Sequence, residues 1–291
     1  MIERGSRPSP GARRRLRRRP RDLAPLPVPP TRLLGRSREL DSITARLQGP
    51  EVRLLTLTGP GGIGKTRLAL QAAVQLQAIF GGGVFFVVQG KLKDASLVAP
   101  ELAKVIGVVE TGPALMELLT RRLAGRRALV VLDTFEHLIP AGPLVYSLLL
   151  NCPETTFLVT SRSALRLRGE HEFPVPPLEL PAATRQAQPR DIGRWPATEL
   201  FWERAQAVRP DLDLNPETAS LIAEICRKLD GRRRRSYPRG DRCSRGTLRH
   251  RDHQPSPGQN TGDGKRKRWH HAWDRGRTLD PEAAVAHALA N

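Results

Sequence analysis

The sequence predicts an α/β fold in which a parallel β-sheet is flanked by helices, followed by the start of a helical subdomain and framed by disordered basic ends. Four apolar runs bounded by turn residues have the length of buried strands, and they are residues 54–58, 84–88, 128–132 and 156–160. Segments with apolar residues at helical spacing separate these runs. Strands that alternate with helices are typical of a parallel sheet that is covered on both faces.

The helical segments of the predicted sheet region follow Lys65 and occupy residues 97–108, 114–123 and 135–149. Each has apolar residues on one face, which is the pattern of a helix that packs on a sheet.

A later helix is predicted from the residues at its two ends. Asn215 is a suitable N-cap, Pro216 suits the first helical position, and Gly231 is the expected stop. The residues expected on its apolar face are Leu221, Ile222, Ile225, Cys226 and Leu229.

The charge of the chain is concentrated at its two ends. The 291 residues carry a formal net charge of +19. Residues 1–22 hold nine basic and two acidic side chains, and residues 232–291 hold fifteen and six, which leaves the 209 residues between them at only +3. The basicity of the whole chain is therefore no argument that the folded part binds nucleic acid.

Composition also predicts the boundaries of the domains. Residues 1–30 combine an arginine run with seven prolines, so we expect a disordered arm. We expect an α/β domain over residues 31–180 and an incomplete helical subdomain over 181–231. Residues 232–291 contain no Ile, Met or Phe and a single Val. Such a segment cannot offset its ordering entropy by burial, and it is predicted to be a disordered tail.

Two classes of protein are excluded by the sequence. The three cysteines, Cys152, Cys226 and Cys243, are odd in number and have no paired spacing, so a disulfide framework or a Cys-rich zinc site is not expected. No run approaches 18 apolar residues, and the N-terminal arginine run is not followed by an apolar segment of signal-peptide length. We therefore expect a cytoplasmic protein with no membrane partner.

The strongest motif is GPGGIGKT at residues 59–66, which follows a predicted strand and opens a predicted helix. This is the context of a phosphate-binding P-loop, in which backbone N–H groups and the helix N-terminus attract an anion. Lys65 is expected to reach the β- and γ-phosphates, and Thr66 to supply a hydroxyl to Mg²⁺. The nucleotide-binding residues predicted here are Gly59, Pro60, Gly61, Gly62, Ile63, Gly64, Lys65, Thr66 and Arg67.

A second carboxylate for the metal is predicted at the end of the apolar strand 128–133. Asp133 is in the position of a Walker-B aspartate, which holds Mg²⁺ directly or through water. The alternative is an aspartate that only forms a turn. Thr134 has no carboxylate to orient a water molecule, so we assign that role to Glu136, the nearest acid. The alternative for Glu136 is a residue that complements a helix dipole.

A third functional side chain is predicted after the fourth strand. Arg162 follows residues 156–161 and should lie at the carboxyl edge of the sheet, where ligands bind in parallel α/β folds. A guanidinium there is expected to contact the γ-phosphate. The alternative is an ordinary surface arginine.

Six segments carry a resemblance to a known family. They are TRLLGRSREL at 31–40, LLTLTGPGGIGKTRLAL at 54–70, LVVLDTFEHL at 129–138, CPETTFLVTSR at 152–162, LRLRGEHEFPVPPLEL at 165–180 and AEICRKLDG at 223–231. Together they resemble the bacterial STAND-type signalling ATPases, relatives of the NB-ARC or AP-ATPase module that is often part of LuxR-type transcriptional regulators.

The resemblance implies a molecular switch that is closed with ADP and that opens, often with self-association, when ATP replaces ADP. It implies that Gly35 and Arg36 lie against the adenine and ribose, that Asp133 serves Mg²⁺ and that Arg162 senses the γ-phosphate.

The chain departs from the family's pattern in ways that also generate predictions. Thr134 stands where relatives usually carry Asp or Asn, which puts the hydrolysis rate in doubt. Sensor repeats and a helix-turn-helix are not recognisable. After Gly231 the chain continues with RRRRSYPRG, where relatives have a Leu-Pro-Leu-Ala segment. We therefore predict a truncation after Gly231, with residues 232–291 as a possible frame-shift product, because out-of-frame reading of GC-rich coding yields Arg, Pro, Gly and Ser.

The leading hypothesis is an ATP/ADP- and Mg²⁺-binding switch domain, derived from a transcriptional regulator, with slow or impaired ATP hydrolysis. Two alternatives stay open at this point. One is a nucleic-acid-binding protein whose basic arm and tail, including KRKRWHHAW at 265–273, contact phosphates without sequence preference. The other is a truncated product with no function.

Overall fold

The computed structural model of the chain describes residues 25–29, 31–108, 114–181 and 187–235. The helices are α1 (Ser37–Gln48), α2 (Lys65–Leu76), α3 (Val98–Ile106), α4 (Leu115–Leu123), α5 (Gly142–Asn151), α6 (Pro196–Val208) and α7 (Pro216–Arg235). The strands are β1 (Leu54–Thr58), β2 (Gly83–Val88), β3 (Ala128–Asp133), β4 (Thr156–Ser161) and β5 (Glu170–Pro174). Within the described residues, no helix has the length and apolar character needed to cross a membrane.

The five strands form one parallel sheet in the order β2-β3-β4-β1-β5. The prediction of a parallel sheet flanked by helices is therefore confirmed, and the four apolar runs form β1 to β4. The fifth strand was not predicted, because its sequence EHEFP has no apolar run. One strand, β4, separates β1 from β3, so the ends of these three strands lie side by side.

Both faces of the sheet are covered, as the apolar strand sequences require. In β3, Ala128, Val130 and Leu132 pack on the face that is covered by α3, α4 and α5. Leu129 and Val131 pack on the opposite face with α1 and α2. A strand that is buried on both faces is apolar at every position, which explains the continuous run at 128–132.

One predicted helix begins later in the structure than expected, and one helix was not predicted. The helix expected over 135–149 begins only at Gly142, after a short 3₁₀ turn at Ile139–Ala141. The reason is Pro143, which has no backbone N–H and therefore suits the first turn of α5 but not a helix interior. Helix α1 was not predicted, although Leu40, Ile43 and Leu47 bury its inner face.

Helices α6 and α7 pack together around a small apolar core. Its buried members are Ile192, Phe201, Ala205, Ala219, Ile222 and Cys226. The predicted N-cap of α7 is confirmed, because Asn215 Oδ1 accepts a hydrogen bond of 2.8 Å from the backbone N–H of Thr218.

The predicted end of α7 is wrong. The helix continues through Gly231 to Arg235, since one internal glycine costs about 1 kcal/mol and arginine is a good helix former. Leu221 and Leu229, expected on the apolar face, are 53% and 40% exposed because Ala219 and Ala223 occupy the buried face instead. The rest of the predicted tail, residues 236–291, and residues 1–24 of the predicted arm lie outside the described residues.

The two described cysteines, Cys152 and Cys226, are buried thiols. Burial raises the pKa of the Cys226 thiol to about 12, and burial also raises the pKa of Cys152. Both side chains are therefore protonated at neutral pH. Cys243 lies outside the described residues.

The segment before α1 connects the α/β domain to α6. Arg32 Nη2 forms ion pairs with Glu199 and Glu203 of α6 at 2.7 and 2.6 Å. Gly35 has a φ of +60°, and a Cβ added there would come within 2.2 Å of Pro196 Cβ. The close contact between this segment and the start of α6 thus depends on glycine.

We expect Gly35→Ala to lower the free energy of unfolding by about 2 kcal/mol. A positive φ is unfavourable for alanine, and the added Cβ would collide with Pro196. Urea denaturation measures the difference. Gly49→Ala is the matched control, since Gly49 has a φ of −71° and its nearest neighbour, Arg46 O, would lie 3.5 Å from the added Cβ. Equal destabilisation by the two substitutions would contradict the role given to Gly35.

Candidate functional site

The loop at residues 59–66 connects β1 to α2 and forms an open helix N-terminus. Gly64, the N-cap of α2, has a φ of +97° and no side chain to cap the first helical amides. A Cβ added to Gly64 would meet no heavy atom within 4 Å, so the space beside it is open. The first turn of α2 contains Lys65 and Arg67 and no acidic residue. Open amides, a helix dipole and basic side chains together favour an anion here.

Lys65 folds back over this loop. Its ammonium donates to Gly59 O at 2.7 Å and to Pro60 O at 3.0 Å, and the residue is only 8% exposed. Burial lowers the pKa of Lys65, whereas the carboxylates of Glu136 and Asp133 act in the opposite direction. An anion bound at the loop would favour the charged ammonium in the same way.

The carboxylate of Asp133 accepts hydrogen bonds from two other elements of the site. Its Oδ1 accepts hydrogen bonds of 2.7 Å from Thr66 Oγ1 on α2 and of 2.7 Å from Thr160 Oγ1 on β4. Asp133 is 4% exposed. The predicted pair of Asp133 and Thr66 is therefore brought together at the carboxyl edge of the sheet. The role of Thr160 was not predicted, because the sequence does not show that β4 lies beside β3.

Thr134 has an unusual backbone conformation directly after Asp133. Its φ is +63°, in the left-handed region that β-branched residues avoid. Its backbone N–H donates to Thr160 Oγ1 at 2.8 Å, and its hydroxyl donates to Asp133 Oδ2 at 3.2 Å. These contacts hold the chain in a turn that Asp, Asn or Gly would adopt more easily.

Glu136 and Arg162 form an ion pair at the same edge, with 3.0 Å between Arg162 Nε and Glu136 Oε1. The side chain of Arg162 is 67% exposed and that of Glu136 is 20% exposed. The guanidinium also lies near the loop, because a Cβ added to Gly61 would be 3.8 Å from Arg162 Nη2. The structure thus places both predicted residues beside the loop and in contact with each other.

Arg36, predicted to contact the base and ribose, and Arg67, predicted as a nucleotide-binding residue, both donate to backbone carbonyl oxygens. Arg36 is 4% exposed; its Nη2 donates to Ile63 O at 3.2 Å, and its Nη1 pairs with Glu39 at 2.8 Å. Arg67 Nη2 donates to the carbonyl oxygens of Thr31 and Arg32, both at 2.6 Å. Sequence reasoning had not identified Glu39, although its spacing of three residues from Arg36 is typical of a helical ion pair.

Gln89 is a further polar residue near Asp133 that sequence reasoning missed. It follows β2, is fully buried, and its backbone N–H donates to Asp133 O at 3.2 Å. Its side-chain amide has no hydrogen-bond partner among the described residues. The described ranges also contain no group of three or more His, Cys, Asp or Glu residues that could hold a metal ion.

Comparison with known sequences finds relatives in mycobacteria. An uncharacterised protein of Mycobacterium tuberculosis is 38% identical over 203 residues, which cover 69% of this chain and 48% of that protein. A predicted HTH-type transcriptional regulator of the same organism is 38% identical over 181 residues, which cover 62% of this chain and 19% of the regulator. The chain therefore spans about half the length of the first relative and a fifth of the second. No protein-family model matches the sequence.

Two solved structures overlap with the chain in part. The STAND protein with a tetratricopeptide repeat sensor from Pyrococcus horikoshii has a TM-score of 0.42 and 17% identity, covering 70% of this chain and 29% of that one. Cdc6p from Pyrobaculum aerophilum has a TM-score of 0.39 and 13% identity, covering 58% and 50%. The assignment of an α/β P-loop fold rests instead on the parallel sheet and the loop described above.

The conformation of Thr134 leads to a test of stability. We expect Thr134→Asn and Thr134→Gly to be more stable than Thr134→Ala by about 1 kcal/mol. All three substitutions remove the hydroxyl that donates to Asp133, and Asn and Gly tolerate a positive φ better than alanine does. Thermal and urea unfolding of the three variants measure the difference, and equal stability of the Asn and Ala variants would contradict strain at this position.

Proposed function

We propose that the described domain binds ATP and ADP with Mg²⁺ and acts as a nucleotide-dependent switch of the STAND type. The observation that carries the proposal is the 2.7 Å hydrogen bond from Thr66 Oγ1 to Asp133 Oδ1, which joins residues 67 positions apart. A hydroxyl and a carboxylate oxygen at one point form part of the oxygen ligand set that Mg²⁺ prefers. They lie beside an open helix N-terminus that favours phosphate.

The phosphates would be held by the backbone N–H groups of residues 59–66 and by Lys65. In the structure the Lys65 ammonium is already at the loop, where it donates to two loop carbonyls. It has three donors on a flexible stem, so it can turn to phosphate oxygens without movement of the backbone. This arrangement fits the β- and γ-phosphates of a nucleotide.

Thr66 and Asp133 would hold Mg²⁺, with Asp133 acting directly or through water. Bound Mg²⁺ neutralises phosphate charge in P-loop proteins. Thr160 supports this role, because its hydroxyl donates to Asp133 Oδ1 and keeps the carboxylate in place. The fit between metal and protein thus depends on the side chains of three different elements.

Hydrolysis at this site is proposed to be slow. Thr134 has no carboxylate to polarise a water molecule, and Glu136 shares its Oε1 with Arg162. Glu136 would orient the attacking water only after Arg162 has turned away from it. We therefore expect turnover well below the rate of about 1–100 s⁻¹ that is typical of kinases.

The adenine and ribose are proposed to lie against Gly35 and Arg36, as the family resemblance implies. The support is that Arg36 contacts the loop carbonyl of Ile63, while Gly35 lies against Pro196 at the start of α6. A base on this segment would be next to both the phosphate loop and the helical subdomain. The helical subdomain would thereby respond to the nucleotide.

The wider role that we propose is in signal-dependent regulation of transcription in the cytoplasm, with self-association in the ATP state. Its support is the name of the mycobacterial relative and the resemblance of the six segments to STAND ATPases. Non-specific nucleic-acid binding by the basic ends is a separate proposal, supported by charges of +7 and +9 outside a core of +3. A frame-shift origin of residues 232–291 also stays a prediction.

We expect Lys65→Ala to weaken ATP binding at least about tenfold, or about 1.4 kcal/mol, because the substitution removes a charge-assisted contact with the phosphates. Isothermal titration calorimetry with Mg-ATP and Mg-ADP measures the affinities. Lys104→Ala is the control, since this α3 side chain is 77% exposed and lies on another element. Equal affinity of the wild type and Lys65→Ala would overturn the assignment of the loop.

A further inference from the structure

Glu136 and Arg162 differ in how firmly they are held. Glu136 lies between Phe135, which is fully buried and donates its N–H to Thr160 O at 2.9 Å, and His137, whose Nε2 donates to Leu92 O at 2.7 Å. The backbone of Glu136 is thus fixed on both sides. Arg162 carries a long side chain that is 67% exposed. The arginine is therefore the partner that can move.

Arg162 is positioned to contact either of two anions, the Glu136 carboxylate or a phosphate bound at the loop. Its Nε contacts the Glu136 carboxylate, while its Nη2 is close to Gly61 of the loop. A nucleotide held by the loop would bring a γ-phosphate to this side of the guanidinium. The edge of the guanidinium nearest the loop consists of Nε and Nη2, and Nε is already used by Glu136. A phosphate that binds this edge with both donors must therefore break the contact between Nε and Glu136.

We propose that Glu136 is a latch that competes with the γ-phosphate of ATP for Arg162 and thereby sets the preference of the site for ATP over ADP. ADP has no γ-phosphate and leaves the ion pair intact. When ATP binds, its γ-phosphate binds the Arg162 guanidinium and must break the contact between the guanidinium and Glu136. The pair lowers the affinity for ATP without a comparable effect on ADP, which makes Glu136 a specificity-determining residue.

This inference rests on the proposed nucleotide site, and the competition has a measurable magnitude. Exposed ion pairs have modest strength, so their removal changes an affinity by a small factor. We expect Glu136→Gln to tighten binding of a non-hydrolysable imido analogue of ATP about threefold to fivefold. The affinity for ADP should change by less than about twofold, because the diphosphate does not use Arg162.

Calorimetry of four proteins tests the latch: the wild type, Glu136→Gln, Arg162→Ala and the double variant, each with the ATP analogue and with ADP in the presence of Mg²⁺. If Glu136 acts through Arg162, Glu136→Gln raises the ratio of ATP-analogue to ADP affinity in the wild-type background and leaves it unchanged when Arg162 is alanine. Glu117→Gln is the control, since Glu117 forms an exposed ion pair with Arg121 on α4.

Two results would overturn the latch. Glu136→Gln that tightens both nucleotides equally, or that has the same effect in the Arg162→Ala background, indicates simple repulsion between a carboxylate and phosphates. Unchanged affinities for both nucleotides in the wild-type background would show that Glu136 has no part in the preference. Both results leave the proposed function in place if Lys65→Ala still weakens binding, whereas absence of binding by the wild type overturns the proposed function together with the latch.

Discussion

The carboxylate of Asp133 joins three elements at the edge of the sheet. It ends β3, it accepts a hydrogen bond from Thr66 at the start of α2, and it accepts another from Thr160 near the end of β4. A carboxylate that is 4% exposed needs such donors, since burial of an unpaired charge is costly. The hydroxyl of Thr66 thus connects the start of α2 to the end of β3, and the hydroxyl of Thr160 connects β4 to the same carboxylate.

The parts of the fold that were predictable are those with local signals. The apolar strand 128–132, the glycine-rich loop at 59–66 and the Asn215 cap each depend on residues that are adjacent in sequence. The sheet order is different, because it is set by pairing between strands that lie far apart in the chain. Without that order, the contact of Thr160 with Asp133 could not be foreseen.

Other parts were missed because tertiary contacts override local preference. Glu170 to Pro174 has a polar sequence, yet it pairs with β1 as an edge strand. Thr134 adopts a backbone conformation that its side chain disfavours, because the turn after Asp133 is held by hydrogen bonds to Thr160 and Asp133. Leu221 and Leu229 match the helical period but face away from the small core of α6 and α7.

The segment before α1 gives the site a connection to the helical subdomain. Thr31 and Arg32 are bound by Arg67 of the phosphate-loop helix, and Arg32 pairs with two glutamates of α6. If the site binds a nucleotide as we propose, a shift of α2 would be transmitted to α6 through these few polar contacts. Exposed ion pairs of this kind are individually weak, which suits contacts that must break and reform.

If Asp133 forms the metal side of a nucleotide site, its charge determines how strongly Mg²⁺ promotes ATP binding. The most direct measurement is the affinity of ATP with and without Mg²⁺, compared between the wild type and Asp133→Asn. Asparagine keeps an oxygen that can accept from Thr66 and Thr160 but removes the charge that attracts the metal. We expect Mg²⁺ to tighten ATP binding to the wild type and to have little effect on the variant. An equal effect of Mg²⁺ on both proteins would contradict this expectation.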